Sequence, residues 1–452
     1  MKLKTPPRTH CLAVRPACVV ALLLLVAAAN PMHAQRPAGP HHPAGVPDNY
    51  LITPFGYFHP SCVIGLAKGD TQVDDGHAIQ HQDGSITQVS PCAYPRYTAK
   101  GEKIAPNGTK QNTPQNVPSV VHNWIGDYAT TSNTSFGELV ASWTVPQAPT
   151  SNDGQQIFFF PGMCVYGCNL SDKQETILQP VLGWNANSNL GPVWSIASWN
   201  CCYDGNEVYS HHIQVNPGDT IFGSIQSTCS TGTLSCPTWN VVTNDETTGQ
   251  GTSLQSTPSY SQTFNWAFAG VLEVYNLVQC SDYPPNGQIS FSNLSLLDNN
   301  FNPISNPGWY FENRYSGLTP QCNYGGQGTA TQVVLNYNLP PWAAAPTYST
   351  NTIPGPSGCG PGNTSPCYLT YTATISVAAG ESLYTMNNKY APNGSLVNGS
   401  TYNYSDTADW GSGGCAQTYD QGLYCYGYAE PTPIFAYATE PGYADSSLIT
   451  PF

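Results

Sequence analysis

The chain has 452 residues, of which 9% are charged, with 27 Asp and Glu against 13 Lys and Arg. A net charge of −14 argues against a nucleic-acid partner, and 42 Gly with 40 Pro argue against a helical bundle. Sixteen cysteines point to an oxidising compartment rather than the cytosol.

The N-terminus reads as an export signal. Lys2, Lys4, Arg8 and Arg15 precede an apolar run over residues 19–29, too short to span a bilayer and right for a signal core. Met32-His33-Ala34 then offers a cleavage site, which gives a leader of residues 1–34. The mature protein is expected to be secreted, or periplasmic, with no membrane association once the leader is gone. Cys11 and Cys18 leave with it, so 14 of the 16 cysteines remain, enough for up to seven disulfides. Cys229/Cys236, Cys359/Cys367 and Cys415/Cys425 are close enough to close small loops. Cys164, Cys168 and the adjacent Cys201-Cys202 are placed to clamp neighbouring strands. No Cys-x-x-Cys pair favours a metal, and no metal or cofactor is expected.

Residues 35–117 form a distinct, nearly neutral segment, with Arg36, Lys68, Arg96, Lys100, Lys103 and Lys110 against six acids. Pro-rich stretches flank it, and Cys62 and Cys92 are placed to bridge a small folded unit. Beyond residue 110 the only bases are Lys173, Arg314 and Lys389, against 21 carboxylates. In acid those carboxylates lose their charge and few positive charges remain, so the body is expected to stay folded at low pH. A base-bearing segment ahead of an acidic body reads as a pro-segment that pairs with it at neutral pH and loosens as the acids protonate.

From residue 121 the pattern is one of strands. Residues 136–145 alternate in part and stop at Pro146. Residues 208–215 and 220–227 flank Asn216-Pro217-Gly218-Asp219, which fits a type II turn and predicts a hairpin. Residues 239–242 and 253 onward flank Thr247-Thr248-Gly249, and residues 264–278, 288–297 and 330–337 supply further strands. The spacing predicts an all-β, antiparallel β-sandwich over residues 118–338. Residues 339–452 read as a Gly/Pro/Tyr-rich, β-containing extension. Leu51-Ile52-Thr53-Pro54-Phe55 recurs as the last five residues.

The common hydrolase signatures are absent: there is no Gly-x-Ser-x-Gly, His-Glu-x-x-His or phosphate loop. The body holds only His122, His211 and His212, so a reaction here rests on carboxyl and amide groups. Five motifs then follow one another in order. They are Asn123-Trp124-Ile125-Gly126, Ser142-Trp143-Thr144-Val145-Pro146, Thr176-Ile177-Leu178-Gln179, the Pro217-Gly218-Asp219 turn, and Val271-Leu272-Glu273 followed by Pro284-Pro285 and Ile289-Ser290-Phe291. This run resembles the glutamic peptidases (eqolisins), over about residues 123–291.

The resemblance implies a concanavalin A-like sandwich of two large packed sheets and an acid endopeptidase acting on polypeptides, made as a monomer. By resemblance Glu273 is the general base that activates water, and Gln179 offers its amide to the developing oxyanion. Trp124, Trp194 and Trp199 are candidates to line the substrate cleft. The chain departs from the family pattern in several places. Phe158-Phe159-Phe160-Pro161-Gly162 replaces Trp-Val-Gly-Ile-Asp-Gly, Pro180-Val181 follows the glutamine where a Gly is usual at the second position, and Gly270 replaces a Trp. Two other readings fit the composition. One is a secreted β-sandwich that binds carbohydrate or a cell surface through its Tyr, Trp, Asn and Gly. The other is a sandwich glycosidase, pairing Glu273 with Glu207 or Asp204.

Overall fold

The structure, a computed structural model, describes residues 42–43, 45–99, 101–110, 123–131, 134–165, 176–311, 320–338, 343–354, 368–387, 394–409, 415–417, 423–425, 431–440 and 443–452. The leader, Cys168, Cys359 and Cys367 lie outside these residues, as do the side chains of Trp124, Cys415 and Cys425. Among the described residues no helix is long and apolar enough to cross a membrane.

The early strands are short, because turn residues interrupt the chain every few positions. They are β1 (Leu51–Thr53), β2 (Gly56–Phe58), β3 (Val63–Gly65), β4 (Thr71–Val73), β5 (Ala78–Gln80), β6 (Ile86–Gln88), β7 (Arg96–Tyr97) and β8 (Lys103–Ile104). Strands β1-β2-β7-β8 form one sheet and β4-β5-β6 another, and a Cys62–Cys92 disulfide joins the start of β3 to the chain between β6 and β7.

From Asn123 the strands lengthen: β9 (Asn123–Thr130), β10 (Phe136–Thr144), β11 (Gln156–Cys164), β12 (Ile177–Trp184) and β13 (Trp194–Cys201). Next come β14 (Glu207–Tyr209), β15 (Ile213–Gln214), β16 (Thr220–Ser227), β17 (Thr238–Asp245) and β18 (Gln250–Pro258). The last of this body are β19 (Trp266–Tyr275), β20 (Gln288–Asp298), β21 (Tyr310–Phe311), β22 (Gly325–Thr329) and β23 (Gln332–Asn336). They build two sheets, of order β18-β17-β16-β10-β20-β23-β22 and β21-β9-β19-β11-β12-β13-β14-β3, with β15 also pairing β13. All pairings are antiparallel except that β3 joins β14 in parallel.

Where one face of a strand meets water the pattern alternates. In β17 Trp239, Val241, Thr243 and Asp245 are buried and their neighbours half-buried. The inner faces of the two sheets meet in a core that includes Trp143, Phe159, Leu182, Trp194, Leu272, Phe291 and Tyr337. Full burial of each such side chain contributes about 1.5–3 kcal/mol. One departure from the expected pattern, Gly270, is explained here, and Pro180 finds room on the body side. A Cβ on Gly270 would sit 2.2 Å from the Phe291 ring, so that ring occupies the space a larger residue would need. Pro180 fills the slot left by Gly223, whose added Cβ would come within 2.6 Å of it.

The Pro217-Gly218 turn forms as its residues dictate, with Gly218 at φ +94° and Asp219 N–H donating to Asn216 O at 3.0 Å. It does not make the expected hairpin. Residues 208–215 break at Ser210–His212, β15 pairs with β13, and β16 pairs with β10 and β17, so the turn carries the chain from one sheet to the other. The turn fixes only the reversal, and the sheet partners decide the pairing. The Cys229–Cys236 disulfide forms as expected, and Cys280–Cys322 ties the end of β19 to the approach to β22. Cys201 and Cys202 are joined to each other instead of clamping neighbouring strands.

Beyond the body, Thr347–Pro354, Tyr368–Ser376 and Thr401–Asp409 form a three-stranded antiparallel sheet. The terminal copy of the repeated pentapeptide packs here, Ile449 bridging Ala436 and Phe452 lying against Tyr371. The first copy lies in β1, so the two dock on different partners.

Candidate active site

The central strands of the larger sheet do not alternate: every residue of Ile177–Trp184 and Trp194–Cys201 is buried. One face is covered by the second sheet. The other is covered by the N-terminal segment, whose Val46, Tyr50, Ile52, Tyr57, Phe58 and Tyr97 share a core with Phe158, Phe160, Val181, Trp199, Val271 and Tyr275. Gln179 and Glu273 belong to this second face. Glu273 pairs across the sheet with Phe158, and Gln179 pairs with Trp199. Between them β11 presents Phe158, Phe160 and the bare backbone of Gly162, whose added Cβ would lie 3.3 Å from Gln179 Cγ.

Gln179 is fully buried, and neither its Oε1 nor its Nε2 has a hydrogen-bond partner. A buried amide left this way costs about 1–3 kcal/mol, which packing alone does not justify. Glu273 is 7% exposed and accepts one hydrogen bond, from the Tyr275 hydroxyl at 2.5 Å. Burial pushes its carboxyl up to about 8, and the Tyr275 hydrogen bond opposes the shift. Glu207, on the same face across from Cys201, is fully buried, and burial raises its pKa well above the ordinary value. The Glu273 charge adds to that rise and the Arg96 charge opposes it.

Of the three tryptophans, Trp199 lies beside Gln179, stacked on Tyr209 at 4.6 Å. Trp194 points instead into the core between the sheets, against Trp184 and Phe159, and is not part of this face. Strand alternation puts it there, since Trp194 and Trp199 are five residues apart on β13 and so point to opposite faces. The Trp124 backbone lies opposite Glu273. Two groups that the motifs did not mark, Tyr275 and the covering Tyr57, complete the surroundings of Glu273. Their rings meet edge-on at 5.5 Å, and burial raises both phenols, with the Glu273 charge adding to it. The apolar run from Ala267 to Tyr275 carried the signal for a cover, since a strand apolar on both faces must be buried on both.

The covering segment is held mainly by packing and hydrogen bonds. Leu66 N–H donates to Tyr209 O at 2.8 Å, Cys92 N–H to Asp204 O at 2.9 Å, Asn206 Nδ2 to Ser90 O at 3.0 Å, and Thr257 Oγ1 to Gln72 Oε1 at 2.6 Å. His77 Nε2 meets Asp204 Oδ2 at 3.3 Å at the exposed margin. None of the four disulfides described above crosses from the segment to the body.

No curated protein matches the chain. Among solved structures, a scytalido-glutamic peptidase with a peptide-based transition-state analogue aligns at 16% identity and a TM-score of 0.34, over 48% of this chain and 99% of that one. SCP-B, described as an eqolisin in complex with the tripeptide Ala-Ile-His, aligns at 16% identity and a TM-score of 0.33, with the same coverage. Residues 122–301 match the Peptidase A4 family. This stretch, which holds Gln179, Glu207 and Glu273, is similar to the Peptidase A4 (eqolisin) family of peptide-bond hydrolases.

Proposed function

We propose that the protein is a secreted, acid-active endopeptidase in which Glu273 is the general base and Gln179 the oxyanion donor, made latent by residues 42–110 lying over both. The observation that carries this reading is the pair itself: an unpartnered buried amide and a buried carboxyl with a single donor, on one sheet face.

Glu273 would take a proton from a water as that water attacks the peptide carbonyl. The carbonyl oxygen, gaining negative charge, would be met by the Gln179 Nε2–H, which neither titrates nor repels the nearby carboxylate. The proton held on Glu273 then passes to the leaving amine, and the C–N bond breaks. Under the cover Glu273 titrates at about 8 and is neutral in acid, so it cannot accept a proton there. Exposing the face to water removes the cause of that shift, and the carboxyl returns toward the ordinary value of about 4.3. The segment thus silences the site twice, by filling it and by keeping its base protonated. The disulfides agree with an exported protein.

The test is digestion of an unfolded protein at pH ~3 to 6, the range in which a carboxylate base works. The full-length chain is compared before and after cutting between residues 110 and 123 and removing the segment. Cleavage is expected only after removal. Equal cleavage before removal would sink the latency, and no cleavage after it would sink the peptidase reading.

A further inference from the structure

Glu207 is a carboxyl buried completely on the face that holds Gln179 and Glu273, and neither of its oxygens has a hydrogen bond of good geometry. The nearby Thr53 hydroxyl donates instead to Gly56 O at 3.1 Å. Such a group is costly unless a positive charge stands beside it. The body supplies few, with only Lys173, Arg314 and Lys389 beyond residue 110. Burial works against its charge and the Glu273 carboxylate adds to that, and the positive charge that opposes them is Arg96, brought by the covering segment.

Arg96 is itself 8% exposed, an unusual degree of burial for an arginine. Its guanidinium lies over the Phe58 ring at 5.8 Å from the centroid, and Nη1 donates to the sulfurs of Cys201 and Cys202. Cys201 is the cross-strand partner of Glu207 and sits two residues from Trp199, itself opposite Gln179. The cover therefore places an aromatic ring, Tyr57, near Glu273 and a cation near Glu207, on one face and from adjoining strands.

We infer that the place Arg96 occupies is a substrate subsite for a cationic side chain, and that Glu207 is its specificity-determining residue. The inference rests on the peptidase reading above and deepens it. Once the segment is gone, water reaches Glu207 and its carboxyl ionises in the ordinary range, while the Cys201 and Cys202 sulfurs remain beside the place the guanidinium has left. An Arg or Lys in the peptide restores what Arg96 supplied, whereas a Met of similar length leaves the carboxyl unpaired. A charge-assisted pair in a partly dry site favours the cationic peptide by about tenfold.

The test uses the full-length chain folded intact, cut between residues 110 and 123, and cleared of the segment. Pairs of peptides differing only by Arg or Met at one position are compared for kcat/KM. Their binding is also measured on the same chain carrying Glu273→Gln, where no cleavage is needed. Arg is expected to be preferred about tenfold at one position in both assays. Glu207→Gln is expected to bring that ratio to about one, and Glu207→Asp, which keeps the charge, to retain part of it. Cleavage without any Arg preference, or a preference that survives Glu207→Gln, overturns the subsite and leaves the peptidase standing. An Arg preference in binding without cleavage of any peptide does the reverse.

Discussion

The Tyr275 hydroxyl donates to Glu273 Oε1 at 2.5 Å, on a sheet face closed to water. That bond favours the ionised carboxyl, the form a general base needs, and works against the burial that favours the neutral one. Tyr275→Phe keeps the ring and removes the donor. In the opened chain it should move the acid limb of the kcat/KM profile to higher pH by about one unit and lower activity near pH ~4 several-fold. An unmoved limb with a uniformly lower rate would mean that Tyr275 only packs.

The cover over the site has its own pH dependence. Burial raises Glu273 to about 8 and Glu207 well above its ordinary value, whereas both carboxyls return toward the ordinary range when the face is opened or the chain unfolds. Asp282 and Asp445, raised to about 6 by burial, add to this. The closed state binds more protons between the open-state and closed-state values, so its stability is greatest below about pH 4.5 and is lost as pH rises toward 8. Each unit of pKa difference is worth about 1.4 kcal/mol. Melting temperature should fall steadily from pH ~5 to ~8, and a cut chain should hold its segment more tightly in acid than at pH ~8. This is opposite to the acid loosening expected from the base-bearing segment. Buried carboxyls outweigh the peripheral His77–Asp204 pair, so opening by further cutting of the segment fits better than dissociation in acid.

Tyr57 is a covering residue packed on Tyr275, the hydrogen-bond donor to the base, and is fully buried. Truncating a buried aromatic costs about 3–5 kcal/mol, here drawn from the docking of the segment. Tyr57→Ala should raise the acid activity of the intact, uncut chain by about tenfold or more, read by fluorogenic peptide hydrolysis. Unchanged latency would show that the seal lies elsewhere on the face.

Much of this was legible in the sequence, for physical reasons that differ from residue to residue. Thr220–Ser227 and Thr238–Asp245 alternate because one face packs and the other meets water, so the sandwich could be read directly. Gln179 and Glu273 were marked by motif order, and the structure puts them on one face. Trp194 was misplaced because spacing between motifs does not tell which side of a strand a residue takes. The hairpin failed because a turn sets reversal and leaves the choice of sheet to long-range packing. The cover was hidden because its strands are two or three residues long, though the doubly apolar Phe158-Phe159-Phe160 already required it.

The Cys280–Cys322 disulfide joins residues 42 apart, with both sulfurs buried beside the end of β19. A loop of this length is worth about 3–4 kcal/mol. Replacing both cysteines by Ala should lower the melting temperature by several degrees, and a matched melting curve under reducing conditions should show no further loss at this site.

The central claim is that Glu273 is the base of an acid peptidase, with Gln179 beside it. It is tested most directly by kcat/KM from pH ~3 to ~8 for the opened chain beside Glu273→Gln and Gln179→Ala. The account predicts a rate that rises through an ordinary carboxylate pKa of about 4 to 5, lost by a factor of about 10³ or more in Glu273→Gln and about 10² in Gln179→Ala. A Glu273→Gln chain that keeps its activity to within about tenfold, with the same pH profile, would contradict it.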